Sequence, residues 1–189
     1  MDTPEQLASL EGQQYLVLRP TGAVADLYES EQDTALRRVR VAHPRTGHVT
    51  LRGFYEPERR DELRDLIHTW ASSQPPIDIT VDAVDAFPTP WQIVILRLAR
   101  SPSLLTAYSS LTAALDATDV RRLGELSLDE WTFHLSVVYG KSLTSDEWDA
   151  LATASVRDLA DRPYETITEA ELVWYENGAE HTEVVELGG

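Results

Sequence analysis

Residues 47–54 (GHVTLRGF) and 132–140 (TFHLSVVYG) decide the fold of this 189-residue chain. Each stretch is strand-like and carries a histidine, an apolar residue and a hydroxyl residue in succession, at 48–50 (HVT) and at 134–136 (HLS). Side chains two positions apart in a strand point to the same face, so each stretch predicts an imidazole and a hydroxyl side by side. If the two strands face each other, their cleft holds two proton-transfer groups and two hydrogen-bond donors. That is the equipment for hydrolysing a phosphodiester without a metal.

Strand and helix patterns alternate along the rest of the chain. Apolar alternation or β-branched runs predict strands, and apolar stripes at helical spacing predict helices. Asn177-Gly178 predicts a hairpin, and Thr144 with Glu147 predicts a capping box that starts the last helix. The predicted strands are 14–19, 48–54, 77–87, 91–99, 131–139, 167–175 and 182–187. The predicted helices are 24–40, 58–73, 101–118 and one from the capping box that carries apolar residues as far as Leu159.

This order favours an α+β fold, in which antiparallel sheets carry helices on their outer faces, over a doubly wound parallel sheet. Each histidine strand is followed by a turn and an amphipathic helix. This weak internal symmetry predicts two similar lobes around a central cleft, each contributing one histidine, within a single domain spanning 1–189.

Composition places the chain among ordinary globular proteins, with 42% hydrophobic and 25% charged residues. No apolar run is long enough to cross a bilayer, and the N-terminus has no pattern of a secretory signal. There are no cysteines, which excludes disulfides, thiolate zinc sites and a cysteine nucleophile. We therefore expect a cytoplasmic monomer with no membrane association.

The formal net charge is −16. Such a balance disfavours binding of long nucleic acid, which is held by a basic surface. It leaves room for a small phosphate ester held by a few local cations. Those cations are nearly all arginines, since Lys141 is the only lysine, and arginine offers bidentate contacts to phosphate oxygens.

Histidine exchanges protons near neutral pH, and phosphodiester hydrolysis needs one group to take a proton from water and another to protonate the leaving oxygen. His48 and His134 are the histidines that lie in strand-like runs. Thr50 and Ser136, on the same faces, would donate hydrogen bonds to the charged oxygens of the transition state. The remaining histidines lie in a turn, off the apolar stripe of a helix, or after the hairpin turn: His43, His68 and His181. We find no carboxylate and histidine cluster at metal-ligand spacing, and expect neither metal nor cofactor.

The strings HVTLRGF and FHLSVVYG resemble the paired H-x-T/S motifs of the 2H phosphoesterase superfamily, in particular its 2′-5′ RNA ligase and cyclic phosphodiesterase branch. The resemblance covers most of the chain and implies a bilobal α+β fold with pseudo-two-fold symmetry. It implies metal-independent work on 2′,3′-cyclic phosphate ends, cyclic nucleotides or 2′-5′ linkages. By position, His48 and His134 would be the acid/base pair, and Thr50 and Ser136 the phosphate donors. The strongly acidic charge departs from members that act on RNA and favours a small nucleotide or a short RNA terminus as partner.

Strand parity gives further candidates. Arg52 shares the face of His48 and Thr50, so it either reaches the phosphate or lies exposed beyond the rim. Tyr55 and Trp91, near strand ends, are candidates to stack on a base. Phe133 and Tyr139 point away from His134 by parity, which predicts that both pack in the core: these two aromatics are not expected in the site.

Three functions remain open at this stage. The leading hypothesis is hydrolysis of the 2′,3′-cyclic phosphate of a small nucleotide or a short RNA end. The second is another phosphoester reaction at the same site, such as 2′-5′ RNA ligation or hydrolysis of an ADP-ribose cyclic phosphate. The third is a nucleotide-binding module without catalysis. The sequence does not decide which histidine is the acid and which is the base.

Overall fold

The computed structural model describes residues 4–188 and has the predicted α+β architecture. The helices are α1 (Pro4–Ser9), α2 (Ala23–Leu36), α3 (Arg60–Ala71), α4 (Pro102–Asp116) and α5 (Ser145–Ser155). The strands are β1 (Gln14–Leu18), β2 (Val49–Phe54), β3 (Ile77–Phe87), β4 (Ile93–Leu98), β5 (Arg122–Leu123), β6 (His134–Tyr139), β7 (Arg157–Asp158), β8 (Tyr164–Ile167), β9 (Glu169–Glu176) and β10 (Ala179–Glu186). The helix α1 and the short strands β5, β7 and β8 were not predicted, because such short elements show too little of a pattern to recognise.

The sheet consists of two antiparallel halves that meet at the two histidine strands. One half has the order β10-β9-β1-β2 and the other has the order β6-β4-β3-β7, while β5 pairs with β2 and β8 with β3. A single residue pair, Val49 with Leu135, joins the halves. The succession strand-helix-strand-helix-strand occurs twice (β1-α2-β2-α3-β3 and β4-α4-β6-α5-β9), and the third strand of each lies beside the first strand of the other. This arrangement agrees with the predicted two-lobed symmetry.

Helices α2 to α5 cover one face of the sheet. Helix α2 packs against β6, helices α4 and α5 pack against β3, and α3 packs against β10. The main hydrophobic core lies between these helices and the sheet. A second, smaller cluster of buried side chains, Val17, Val173 and Tyr175, lies apart from that core on β1 and β9. The opposite face of the sheet is therefore free to form a cleft.

Helix α5 begins as predicted and ends earlier than predicted. The Thr144 hydroxyl accepts a hydrogen bond from the backbone of Glu147, whose carboxylate accepts in return from the Thr144 backbone. The helix stops at Ser155 because Val156 adopts an extended conformation (ψ 122°), and β7 then pairs with β3. Of the apolar residues that continue the periodicity, Val156 is exposed, and Leu159 packs against the core from the loop after β7.

Strand β2 contains a bulge that reverses its side-chain parity. Thr50 pairs with Val17 of β1, whereas Arg52 pairs with Leu16, so two adjacent residues of β1 face two residues of β2 that are separated by Leu51. Leu51 is therefore an extra residue in β2, and this irregularity is a β-bulge. Because directly opposed residues share a face, Thr50 points with Val17 to the cleft face, and Arg52 points with Leu16 to the core.

Strand β6 contains the equivalent bulge. Ser136 pairs with Ile95 of β4, whereas Val138 pairs with Val94, which leaves Val137 as the extra residue. In both halves the bulge directly follows the hydroxyl residue of the histidine motif. The two motifs therefore resemble each other in sequence and also in the β-bulge that follows each of them.

Among residues 4–188, the structure holds no helix with the length and apolar character that crossing a membrane requires.

Candidate active site

The pair Val49–Leu135 fixes the position of all four motif side chains. Both of these residues are fully buried in the main core, so their neighbours in sequence project from the opposite face, which carries the cleft. Continued by one residue each way, the antiparallel register of this single pair would set His48 opposite Ser136 and Thr50 opposite His134.

The two histidines are diagonal neighbours in this arrangement. Diagonal neighbours in an antiparallel pair lie roughly 7–8 Å apart, which leaves room for a small group between the imidazole rings. Burial is the main cause that lowers the pKa of His48, and the charge of His134 lowers it further to a smaller extent.

Both imidazole rings are held by the same local hydrogen bond. Nδ1 of His48 lies 3.3 Å from the carbonyl oxygen of Thr46, and Nδ1 of His134 lies 2.8 Å from the carbonyl oxygen of Thr132. A carbonyl oxygen only accepts hydrogen bonds, so Nδ1 carries the proton in the neutral ring. The unprotonated Nε2 of each histidine is therefore the atom available to accept a proton.

Burial keeps both imidazoles neutral at pH 7. Desolvation is the main cause that lowers the pKa of His48 and of His134 below the ordinary value, while the backbone hydrogen bonds oppose it. The charge of Arg19 lowers the pKa of His48 further, and that of Glu180 raises it. The resting site thus holds two proton acceptors.

A cavity of about 590 Å³ opens beside the motifs, within the size range of small-molecule sites. His48, Thr50 and Ser136 line it. His134 lies beside Thr50 with the ring of Phe87 edge-on at 4.9 Å, and it is not among the lining side chains. The rest of the lining is an apolar and aromatic wall with a few polar groups: Leu7, Leu10, Tyr15, Val17, Arg19, Pro44, Arg45, Thr46, Tyr139, Val173, Tyr175 and Glu180.

Comparison with known proteins identifies the family of this chain. The sequence profile of the 2′-5′ RNA ligase superfamily matches residues 24–179. The chain belongs to this superfamily. A comparison with curated protein sequences finds no match.

Several solved structures share the fold of this chain. TT0787 of Thermus thermophilus aligns with a TM-score of 0.70 at 17% identity, over 94% of this chain and 98% of that protein. E. coli LigT complexed with 3′-AMP aligns with a TM-score of 0.61 at 13% identity, over 93% and 95%. Usb1 of Kluyveromyces marxianus aligns with a TM-score of 0.57 at 13% identity, over 95% and 100%. At these identities the likeness concerns the fold.

In this member of the superfamily Arg52 lies outside the cleft. It is 2% exposed, and its guanidinium donates hydrogen bonds to the hydroxyls of Tyr108 and Thr112 on α4. Glu125 lies 3.9 Å from it. The parity argument that placed Arg52 beside Thr50 fails because of the bulge at Leu51, and we leave Arg52 out of the site.

The structure does not bring Tyr55 or Trp91 to the cleft either. Tyr55 follows the far end of β2, 37% exposed, with the guanidinium of Arg121 at 4.9 Å from its ring. Trp91 lies in the connection between β3 and β4, 58% exposed, with the Lys141 ammonium at 5.7 Å from its ring. Neither side chain lines the cavity.

Sequence parity also misplaced Tyr139. Phe133 is buried in the core as predicted, but Tyr139 lines the cavity because the bulge at Val137 turns it to the cleft face. Burial raises the pKa of Tyr139, and a hydrogen bond with Ser136 opposes this shift. The prediction that Tyr139 packs in the core was wrong for the same reason as the prediction for Arg52.

Arg19 is a cleft cation that the sequence did not single out. It lies directly after β1, forms an ion pair with Glu171 at 2.7 Å, and donates a hydrogen bond to the hydroxyl of Thr46. Because Thr46 also supplies the carbonyl that holds His48, Arg19 braces the loop that carries this histidine. These contacts of Arg19 could not be predicted from the sequence, because Glu171 and Thr46 are distant from it along the chain.

Gln32 connects α2 to both motifs. Its side-chain Nε2 lies 3.0 Å from the carbonyl oxygen of Val137, 3.1 Å from that of Pro44, and 2.7 Å from the Tyr28 hydroxyl. The Gln32→Leu variant leaves these carbonyls without their partner, and we expect it to lower the free energy of unfolding by about 1–3 kcal/mol. Urea unfolding measures this, with the exposed Asp33→Asn as control. Equal midpoints for the wild type and Gln32→Leu would show that the amide contributes nothing.

Proposed function

We propose that the chain is a phosphodiesterase that hydrolyses the 2′,3′-cyclic phosphate of a small nucleotide or a short RNA end. His48 and His134 form its acid/base pair. The observation that carries this proposal is the matched presentation of two imidazoles on neighbouring strands, each with Nδ1 tied to the carbonyl two residues earlier, with His48 lining the cavity and His134 beside Thr50. His43 makes the same kind of local contact, with the carbonyl oxygen of Val41, so the pairing of the two imidazoles on neighbouring strands carries the argument.

The proposed reaction breaks one P–O bond of the cyclic phosphate. Nε2 of one neutral histidine takes a proton from water while the water oxygen bonds to phosphorus. The other histidine, as imidazolium, gives its proton to the leaving ribose oxygen. The product is a ribose phosphomonoester with a free neighbouring hydroxyl, and the two histidines end with their protonation states exchanged. Thr50 and Ser136 donate hydrogen bonds to the nonbridging oxygens, where charge develops.

A small substrate fits the electrostatics of the molecule. With a net charge of −16, the surface as a whole repels a polyanion, whereas Arg19 and Arg45 both line the cavity. E. coli LigT, which shares the fold, has been solved with 3′-AMP, ATP and NADP+. We extend the binding of small nucleotides to the present chain.

Incubation with the four nucleoside 2′,3′-cyclic monophosphates tests the proposal. We expect conversion to nucleoside monophosphates, which chromatography detects. A chelator should leave the rate of this conversion unchanged. Turnover that disappears with EDTA and returns with a divalent cation would replace this mechanism with a metal-dependent one. Tight nucleotide binding without turnover would support a binding module instead.

Ligation is the second candidate, because the superfamily profile that matches this chain is named for it. In ligation a 5′-hydroxyl takes the place of the attacking water: its oxygen bonds to the phosphorus of a 2′,3′-cyclic phosphate end, the ribose 3′-oxygen leaves with a proton, and a 2′-5′ linkage results at the same two histidines. Short RNA fragments with these ends would show a ligated product on a denaturing gel if this activity is present.

The pH dependence should be bell-shaped, because one histidine must be neutral and the other protonated. Burial holds both pKa values of the free protein below 6.5, so we expect the maximum of kcat/KM to lie below about pH 6.5. A bound phosphate anion favours the imidazolium and raises these pKa values, so the kcat profile should lie at higher pH than that of kcat/KM. Steady-state rates from pH 4.5 to 9 measure both profiles, and a rate that keeps rising to pH 9 would contradict the pair.

A further inference from the structure

One carboxylate lies in the cleft of this acidic chain. Of the residues that the structure describes, Glu180 is the acidic residue that lines the cavity. It lies on β10 directly opposite Tyr175 of β9. The Tyr175 hydroxyl donates a hydrogen bond to Oε2 of Glu180 at 2.9 Å, and no described residue donates one to Oε1.

A lone carboxylate is an unexpected group in a cleft built for a phosphate, because it repels the anion. Its charge is also close enough to His48 to raise the pKa of that histidine. The nearby cation Arg19 is already paired with Glu171. Glu180 is exposed in the cleft, so its Oε1 is open to a hydrogen-bond donor of a bound substrate.

We propose, building on the phosphodiesterase function above, that Glu180 binds the Watson–Crick edge of guanine and makes the protein selective for guanosine 2′,3′-cyclic phosphate. Guanine presents two adjacent donors on this edge, N1–H and the N2 amino group. A carboxylate presents two acceptor oxygens at matching separation. The two can form a bidentate, charge-assisted pair.

The other bases match this carboxylate less well. Adenine presents the lone pair of N1 beside its amino group, and this lone pair faces an anionic oxygen. Cytosine has the same pattern at N3, and uracil has a single N–H between two carbonyl oxygens. Each offers at most one donor and at least one repulsive contact.

The walls around Glu180 suit a purine ring. Val17, Val173 and Tyr15 line the cavity as an apolar surface, and the ring of Tyr175 stands edge-on to that of Tyr15 at 6.4 Å between centroids. Burial raises the pKa of Tyr175, and the charge of Glu180 raises it further, so the phenol keeps its proton. Tyr175 therefore holds the carboxylate in one orientation while the base packs on the apolar wall.

The test is kcat/KM for the guanosine, adenosine, cytidine and uridine 2′,3′-cyclic monophosphates. We expect kcat/KM for the guanosine substrate to exceed that for the adenosine substrate by roughly tenfold to a hundredfold, because hydrogen bonds to a charged group are strong. The Glu180→Gln side chain donates to N1 of adenine and accepts from its amino group, so this variant should equalise or invert the ratio. Tyr175→Phe should weaken the preference for guanine. Glu186→Gln, on the same strand and outside the cavity, is the matched control and should keep the wild-type ratio.

Equal kcat/KM values for all four substrates, or the same ratio in Glu180→Gln as in the wild type, would overturn this inference while leaving the phosphodiesterase function intact. If none of the four is hydrolysed, the proposed function fails, and calorimetric binding of 3′-GMP and 3′-AMP then decides the inference by itself. Tighter binding of 3′-GMP that is lost in Glu180→Gln supports guanine recognition, and equal binding overturns it.

Discussion

Replacing either His48 or His134 by alanine is expected to lower kcat for 2′,3′-cyclic nucleotide hydrolysis by roughly 10²–10⁴-fold, the usual contribution of a positioned acid or base. Each imidazole is fixed through Nδ1 by a backbone carbonyl, and in the proposed mechanism each supplies its Nε2 to the reaction. Alanine removes that atom and leaves the strand in place. Initial rates at saturating substrate, with circular dichroism to verify folding, measure the loss.

The double variant should be little worse than either single one. The two histidines act as a unit, since the reaction needs both proton transfers, and effects within such a unit are far from additive. His43→Ala is the matched control. Nδ1 of His43 also contacts the carbonyl two residues earlier, at 3.2 Å, but His43 does not line the cleft, so its loss should leave kcat unchanged. Full activity in either single variant would exclude the paired mechanism.

The sequence predicts the motifs and the fold class because both depend on local patterns. A histidine, an apolar residue and a hydroxyl residue fall on alternate faces of any strand, and Val49 and Leu135 are apolar because they face the core. Hairpin and capping signals are equally local, as at Asn177-Gly178 and Thr144. Each of these predictions involves residues within a few positions of each other.

Predictions past the motifs fail where one residue is inserted. Strand parity holds from His48 to Thr50 and from His134 to Ser136, and it breaks at Leu51 and Val137. A one-residue shift moves every later side chain to the other face, which sends Arg52 into the core and turns Tyr139 to the cleft. No residue type at the bulges marks them, since both are ordinary buried aliphatics.

The remaining wall of the cleft depends on contacts between distant parts of the chain. Leu7 and Leu10 come from the N-terminal segment, whereas Val173, Tyr175 and Glu180 come from the last hairpin. Their meeting depends on β9 pairing with β1, a partner choice that no local pattern encodes. The sequence thus predicts candidate reacting groups, while the groups that line the cavity around them become visible only in the fold.

Removing the hydroxyls of the motifs is the second large effect that we expect. Thr50→Val and Ser136→Ala should each lower kcat by about 10²–10³-fold, the usual loss when one donor to a developing anion is removed. Both side chains line the cavity, and each lies opposite the histidine of the other motif in the register set by Val49 and Leu135. They are therefore placed to donate to oxygens of a phosphate held between the imidazoles.

Separate values of kcat and KM decide what the hydroxyls do. Loss of a donor that acts only in the transition state lowers kcat with little change in KM. Loss of a donor that only binds substrate raises KM alone. Thr50→Ser retains the hydroxyl and should retain most of the rate. Ser136→Ala also removes the hydrogen bond with Tyr139. The Tyr139→Phe variant removes only this hydrogen bond and therefore measures its share of the change in kcat. If Thr50→Val raises KM and leaves kcat intact, the hydroxyls position the phosphate, and charge stabilisation must come from elsewhere in the cleft.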